Sequence, residues 1–422
     1  MVHNKKQLQN LLETDDMMMN DKKLDLLALA SIPLVMTLGN SMLIPILPLL
    51  EQELSISSFQ SSMVITVYSI IAIILIPFAG YLSDKLGRKK IIIPSLIITA
   101  IGGGLSGFAA WKLSSPYLLI LIGRFLQGIG AAGAFPVVIP TVGDMFEQEE
   151  EISAGLGLIE TANTFGKVLS PVIGAALALL IWYAPFLFIP VISLIAILLV
   201  AFLVKSPIEK KEQKTTFKLF FANIKTLFKK KGRWLISIFL VGCLNMFVLF
   251  GVLFHFSSLL ESDFEMKGVM KGLILAIPLL CLCIASFVTG KKIGSNKVLM
   301  KWLIVFSNLL AGMPLIFVKD EIGIVWFLII LSLSGIGIGV SLPCLDALIT
   351  EGIEKNVRGT VTSLYSSMRF LGVAAGPPII ALIMDHVHGM YITLAILSGI
   401  GAAIALLLIK PKQQSKPVNM VL

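Results

Sequence analysis

Apolar runs of about 20 residues alternate with short polar connections along almost the whole chain. A helix of about 20 residues covers the ~30 Å of a bilayer's hydrocarbon core. Backbone groups facing lipid must bond within their own segment, which a helix achieves. The period-two alternation of a barrel strand is absent. The pattern predicts twelve helical spans, near 26–50, 60–80, 91–111, 117–142, 152–178, 181–204, 234–256, 268–290, 298–317, 323–350, 359–384 and 390–409. An even number puts both chain ends on one side.

Composition sharpens this. Of 422 residues, 56% are hydrophobic and 14% charged, against about 25% charged in soluble domains. Mean hydropathy is +0.93. The fold class expected is all-α integral membrane, with twelve transmembrane helices in two pseudo-symmetric bundles of six. Of the 34 Lys and Arg, 27 fall on the face that carries both chain ends. Only Lys112, Lys267, Lys271 and Lys319 fall on the other face, and Arg124, Lys167 and Arg369 lie inside spans. Basic loops stay inside, so both termini are expected in the cytoplasm. The net charge of +9 is then a topology and lipid-headgroup signal, not a nucleic-acid footprint.

Domain boundaries follow: a cytoplasmic tail over 1–24, a six-helix bundle over 25–204, a basic linker over 205–233, a second bundle over 234–410, and a tail over 411–422. The linker segment TFKLFFANIKTLF has basic and apolar faces at helical spacing. It reads as a short helix on the cytoplasmic leaflet, or else as a solvated linker. The first 24 residues contain no apolar core, so no cleaved signal peptide is expected. The four cysteines all lie in apolar runs, and Cys281 and Cys283 point apart on a helix. They read as packing residues rather than a metal or disulfide set. His255, His386 and His388 fall at outer span ends and read as surface residues. No metal or cofactor is expected.

The two halves echo each other. In GIGAAGAFP (128–136) and GIGIGVSLP (335–343), Gly128, Gly130 and Pro136 match Gly335, Gly337 and Pro343. SPVIG (170–174) then corresponds to GPPII (376–380), and Asp144 to Glu351. Repeats around a shared midplane site mark alternating-access transporters. GIGAAG also fits G-x-G-x-x-G, but a dinucleotide site needs a strand before it. Within a span, close packing of small residues explains it.

Residues 80–90, GYLSDKLGRKK, crowd two glycines, an acid and four basic residues between two spans. With six plus six spans, this resembles the loop 2–3 signature of the major facilitator superfamily, G-x-L-a-D-r-x-G-r-k. Gly80, Leu82, Asp84, Gly87, Arg88 and Lys89 match; Lys85 stands where Arg is common. LIGRFLQGIGAAG (121–133) resembles the family's fourth-span motif with its buried Arg124. GLIETANTFGKVLSPVIGA (157–175) resembles the antiporter motif G-x8-G-x3-G-P-x2-G-G. Gly157, Gly166, Pro171 and Gly174 match, while Ser170 and Ala175 replace glycines. That motif is associated with drug/proton antiporters. The resemblance implies that Asp84 meets a helix amino terminus of the other half, where the dipole favours an anion, and that Arg88 pairs with Asp144. Such a cluster latches the cytoplasmic side. The alternative is that its basic residues only set topology, which needs neither Asp84 nor the glycines.

Ionisable groups inside spans are costly and are functional candidates by default. Glu160, Asn163, Lys167, Ser170 and Gly174 share an arc of about 80° on a helix, a stripe aimed at a cavity. Glu160 is the first candidate for a coupling proton site and Asp346 the second. Glu160 as a static partner of Lys167 or Arg124 is the other reading, and Asp346 as an exposed helix-end residue. Arg124 either pairs with a protonatable acid or bonds backbone carbonyls of neighbouring spans. Arg369 either holds an anionic group or balances Asp346. Asn40, Asn245 and Tyr68 are cavity candidates, with interhelical bonding or packing as the alternative. Phe247, Phe250 and Phe254 are further aromatic candidates.

The expected function is export of amphipathic small molecules or drugs across the plasma membrane in exchange for protons. The alternative is a proton-coupled carrier for one metabolite, with Lys167 and Arg369 pointing to an anionic one. No self-powered pump is expected without a P-loop. A membrane enzyme is not expected either, without a His, Asp and Glu cluster at one leaflet. The partners expected are a small substrate, protons and the bilayer, not nucleic acid, with a monomeric carrier.

Overall fold

The computed structural model describes residues 2–146, 149–204, 217–293, 296–319, 322–353 and 355–410. Helix α1 (Val2–Ser41) leads through a 3₁₀ turn, Ile44–Ile46, into α2 (Leu47–Leu54). Then follow α3 (Ser58–Leu86), α4 (Arg88–Lys112), α5 (Tyr117–Met145), α6 (Glu149–Leu180) and α7 (Ala184–Phe202). The second half holds α8 (Phe217–Ser262), α9 (Gly268–Lys292), α10 (Lys297–Gly312), α11 (Ile324–Gly352), α12 (Lys355–Ile383) and α13 (Val387–Leu408). Twelve spans among the described residues are long and apolar enough to cross a membrane; the first runs from α1 into α2.

Local chemistry sets the breaks. Pro45 and Pro48 lack the N–H that would continue α1, and the chain tightens into the 3₁₀ turn there. Ser57 and Gln60 form a reciprocal capping box that starts α3. Residues 80–86, expected as a loop, are the last turns of α3. The connection to α4 is the single residue Gly87, at φ +98° with open space around it. Backbone conformation, not room, calls for glycine there. The amino-terminal segment is helical from Val2. One other expectation is corrected. Residues 217–233 continue unbroken into the seventh span instead of forming a separate helix. The charged groups there do not stop a helix, no Pro lies between 217 and 262, and the single Gly232 before the apolar run costs only about 1 kcal/mol.

The repeat is visible in the packing. A Cβ on Gly128 would stand 2.5 Å from the Tyr68 carbonyl on α3, and one on Gly335 2.6 Å from the Pro278 carbonyl on α9. Gly130 abuts Ser95 and Thr99 on α4, as Gly337 abuts Ser307 and Ala311 on α10. Equivalent glycines thus admit the second and third spans of each half.

The halves meet along α3 with α12 and along α6 with α9. At the end away from the chain termini one apolar cluster unites both halves, including Leu43 and Phe186 with Phe254, Phe327 and Tyr391. At the end that carries the termini each half keeps its own cluster, around Val137 and Val200 or around Leu235 and Leu345. Polar contacts reinforce the far seal: Ser257 Oγ donates to the Ile44 carbonyl (3.0 Å) and Gln52 Nε2 to Glu261 (3.1 Å). Large apolar side chains such as Phe202, Leu180 and Trp326 point outward, as a lipid-facing exterior requires.

Candidate substrate and proton site

A cavity of about 70 Å³ lies between the halves. Met36, Thr37, Asn40 and Ser41 of α1, Tyr68 of α3, Phe135 of α5, and Asn163 and Lys167 of α6 form one wall. Met246 and Phe250 of α8 with Ser366, Arg369, Phe370 and Val373 of α12 form the other. Drug-sized sites usually occupy about 300 Å³ or more, so a substrate of that size fits only once the halves part.

Of the predicted polar stripe of α6, Asn163 and Lys167 line this cavity, while Ser170 and Gly174 pack against backbone. Thr37 Oγ1 donates to Asn163 Oδ1 (2.5 Å), and Asn163 Nδ2 donates to the Glu160 carboxylate (3.2 and 3.3 Å). Across the interface Arg369 stands 3.6 Å from Glu160 and 3.5 Å from Asp346. One guanidinium on α12 therefore bridges a carboxylate of the first half and one of its own half. Its fork suits two acceptors at once. Glu160 is thus not paired with Lys167 or Arg124, and Asp346 is not an isolated helix-end residue. The Tyr365 ring, one turn from Arg369, lies 5.7 Å from the guanidinium.

Arg124 is fully buried. Its Nε donates to the Val64 carbonyl (2.7 Å) and Nη1 to the Gly39 carbonyl (3.3 Å). The guanidinium also donates to the side-chain oxygens of Gln127 and Asn40, and lies 4.5 Å from the Tyr68 ring centroid. All these partners are neutral. The expectation that Arg124 pairs with an acid is corrected: it fastens α1 and α3 to α5, and in doing so orients Asn40 and Tyr68.

At the termini-bearing end Arg88 Nε meets Asp144 at 3.1 Å and its Nη1 donates to Ser83 (2.7 Å). Lys89 donates to the carbonyls of Ala201 and Val204. Both sets of contacts lie within the first half. The side chains of Asp84 and Glu351 lie outside the described residues, so the predicted contact of Asp84 with the other half does too. Gly80 does approach that half: a Cβ on it would sit 3.1 Å from Ser363 Oγ on α12.

The antiporter-like stretch of α6 packs against two neighbours, the first span and α9. Gly166 abuts Thr37, and Gly174 abuts the Met42 backbone, both in the first span. Ser170 donates to the Gly166 carbonyl, and the Pro171 carbonyl faces Gly272 of α9. Gly157 has open space around it.

Other expectations change. Asn245 does not line the cavity; it is buried and donates to Ser341 (2.9 Å) on α11. His255 is not a surface residue; it is buried and bonded to the Tyr391 hydroxyl (3.0 Å), because α8 extends past it to Ser262. Phe250 lines the cavity, whereas Phe254 belongs to the far seal. Thr37, Ser366 and Phe370 escaped the sequence reading. The signal that finds them is spacing: Thr37 and Ser366 sit three residues before Asn40 and Arg369, on the same helix faces. Among the described residues, no three His, Cys, Asp or Glu side chains converge as a metal site would need.

Comparison with known proteins fits this architecture. Residues 29–377 match the Major Facilitator Superfamily. The bacillibactin exporter of Bacillus subtilis (strain 168) is 50% identical over 398 residues, covering 94% of this chain and 99% of that protein. The class E tetracycline resistance protein of Escherichia coli is 24% identical over 364 residues, 82% of this chain and 84% of its own. Multidrug resistance protein 2 of Bacillus subtilis (strain 168) is 24% identical over 413 residues, 95% and 99% of the two chains. The crystal structure of the human organic anion transporter MFSD10 (TETRAN) superimposes with a TM-score of 0.74 at 18% identity, covering 91% of this chain and 99% of that one.

Proposed function

The chain belongs to the Major Facilitator Superfamily, and from that premise we propose that it exports a small molecule akin to bacillibactin in exchange for protons. It acts in the plasma membrane with both termini in the cytoplasm. The observation that carries the coupling is the bridge from Arg369 to Glu160 and Asp346 across the two halves. With Glu160 ionised, its attraction to Arg369 draws α6 towards α12. With Glu160 protonated, that charge–charge contact is lost and the seam weakens. Protonation thereby biases which end of the carrier is closed, as alternating access requires.

In this reading Glu160 carries the proton, with Asp346 as the second carboxylate of the bridge. Asn163 orients Glu160, and Asn40 and Tyr68 shape the cavity under the hold of Arg124. The pair Arg88–Asp144, with Gly80, Asp84 and Gly87, belongs to a latch at the cytoplasmic end. Gly157, Gly166, Ser170, Pro171 and Gly174 let α6 slide against its neighbours. A relative at 50% identity that is named for one molecule favours a dedicated carrier. The tetracycline and multidrug resistance relatives support broader efflux as the second reading.

The test uses liposomes holding a pH dye under an imposed proton gradient. Adding bacillibactin is expected to evoke proton flux with the native chain and none with Glu160→Gln. Flux that survives the substitution would move the proton site away from Glu160. Flux with tetracycline but not bacillibactin would favour the broader reading.

A further inference from the structure

Lys167 is 6% exposed, and its ammonium has no hydrogen-bond partner. It lines the cavity between the halves and also a smaller void of about 10 Å³ beside it, next to Pro171 and Leu279. An ammonium carries three donors, and leaving a charge buried without a partner is costly. Both carboxylates nearby are already engaged by Arg369. Arg124 adds a second buried cation, with only neutral groups bonded to it. The charges around the cavity are therefore three basic groups, Lys167, Arg369 and Arg124, against two acids, Glu160 and Asp346. The surroundings are short of one negative charge, at a side chain that lines the cavity.

We infer that Lys167 is the specificity-determining residue for cargo, and that the cargo presents an acidic oxygen to it while an apolar or aromatic body rests on Tyr68, Phe250 and Phe370. The geometry disfavours a lipophilic cation, which would need an uncommitted carboxylate and would meet Lys167 instead. Tyr68 and Phe370 come from opposite halves and pack against each other, ring centroids 6.2 Å apart, so a flat body reaches both only once the halves part, and then touches both halves at once. An anion at Lys167 attracts a proton in the same cavity rather than displacing it. Exchange then requires that proton and cargo cross on separate half-cycles. The inference rests on the transport reading only in taking this cavity as the place where cargo sits.

The test is equilibrium binding to the full chain in lipid nanodiscs, after subtraction of empty discs. Three probes share one body: 2-naphthoate, 2-naphthamide and 2-naphthylmethylammonium. The carboxylate is expected to bind at least tenfold tighter than the amide, and the ammonium weakest. Lys167→Met should bring the carboxylate down to the level of the amide, while Lys167→Arg should keep the preference. The inference is overturned if the native chain binds the ammonium as well as the carboxylate, shows no selectivity among the three, or keeps its carboxylate preference in Lys167→Met. A native chain without a carboxylate preference overturns the inference even if a variant folds poorly, and Lys167→Arg, which keeps the charge, guards the assignment to Lys167 against a folding defect in Lys167→Met. Because binding needs no proton gradient, a chain that prefers the carboxylate yet moves no protons would sink the coupling and leave this inference standing.

Discussion

Arg124 separates two ideas about buried cations in a membrane protein: that the charge matters, or that the fork matters. Its guanidinium reaches three interhelical acceptors, the Val64 carbonyl on α3 and the Gly39 carbonyl and Asn40 side chain on α1. Interhelical bonds in membranes contribute about 0.6–1.7 kcal/mol each, so three come to roughly 2–5 kcal/mol. Arg124→Met loses that sum but no longer buries a charge, which offsets part of it. Arg124→Lys still buries the charge, and its three donors radiate from one atom that cannot serve α1 and α3 together. The Lys variant is therefore expected to be at least as destabilised as the Met variant, by about 2–4 kcal/mol. Unfolding titrations in mixed micelles, followed by tryptophan fluorescence, measure this directly. On the proposed exchange with protons, both variants should also lose substrate-evoked proton flux, since Asn40 and Tyr68 lose their support. A Lys variant as stable and active as the native chain, beside a failing Met variant, would refute the fork and restore the charge as the essential feature.

Two further outcomes follow from the packing. Gly130→Val places a Cβ 2.9 Å from the Thr99 amide nitrogen, and Gly337→Val places one 2.5 Å from that of Ala311. Backbone cannot yield as a side chain can, so each should cost about 1–3 kcal/mol or more, while Gly157→Ala, in open space, should cost nothing. Folded yield by fluorescence-detected size exclusion checks the contrast, and equal yields would contradict the repeat-packing argument. At the far seal, Lys271 and Glu261 form a 2.7 Å ion pair, 2% and 9% exposed. Lys271→Met strands the acid and should cost about 3–5 kcal/mol. The double change with Glu261→Gln should recover most of that in the same titration, and a double variant no better than the single would show that the pair is not coupled.

The number of spans and their approximate limits were legible because hydrophobic periodicity depends on residues near each other in sequence. Gly87 was legible as part of the loop 2–3 signature, although the loop around it proved to be one residue long. Side-chain partners across the interface were not. Glu160 and Arg369 both stood out as charges inside spans, but nothing local says that α6 and α12 face each other at those turns. His255 was misplaced because the end of an apolar run was taken as the end of its helix, while α8 continues to Ser262. Asn40 and Asn245 occupy comparable places in the two halves, yet one faces the cavity and the other Ser341.

That last difference shows how the site is built. Aligned on Pro171 and Pro377, Gly166 falls on Gly372, and each abuts the first span of its own half: Thr37 on α1, Cys243 and Phe247 on α8. In the same alignment Asn163 falls on Arg369, and both touch Glu160. Lys167, however, falls on Val373, and Glu160 on Ser366. The repeat reproduces the scaffold glycine of Gly166 and Gly372, where close approach of the first span demands it, but not that of Gly174, which falls on Ile380. The cavity-facing positions, free of that demand, have diverged in charge. A symmetric pair of helices thereby presents an asymmetric set of ions, with the acid and the unpaired cation on α6 and the bridging cation on α12. An exchange of residues between equivalent positions would leave the packing of the helices intact while moving the charge to the other wall of the cavity.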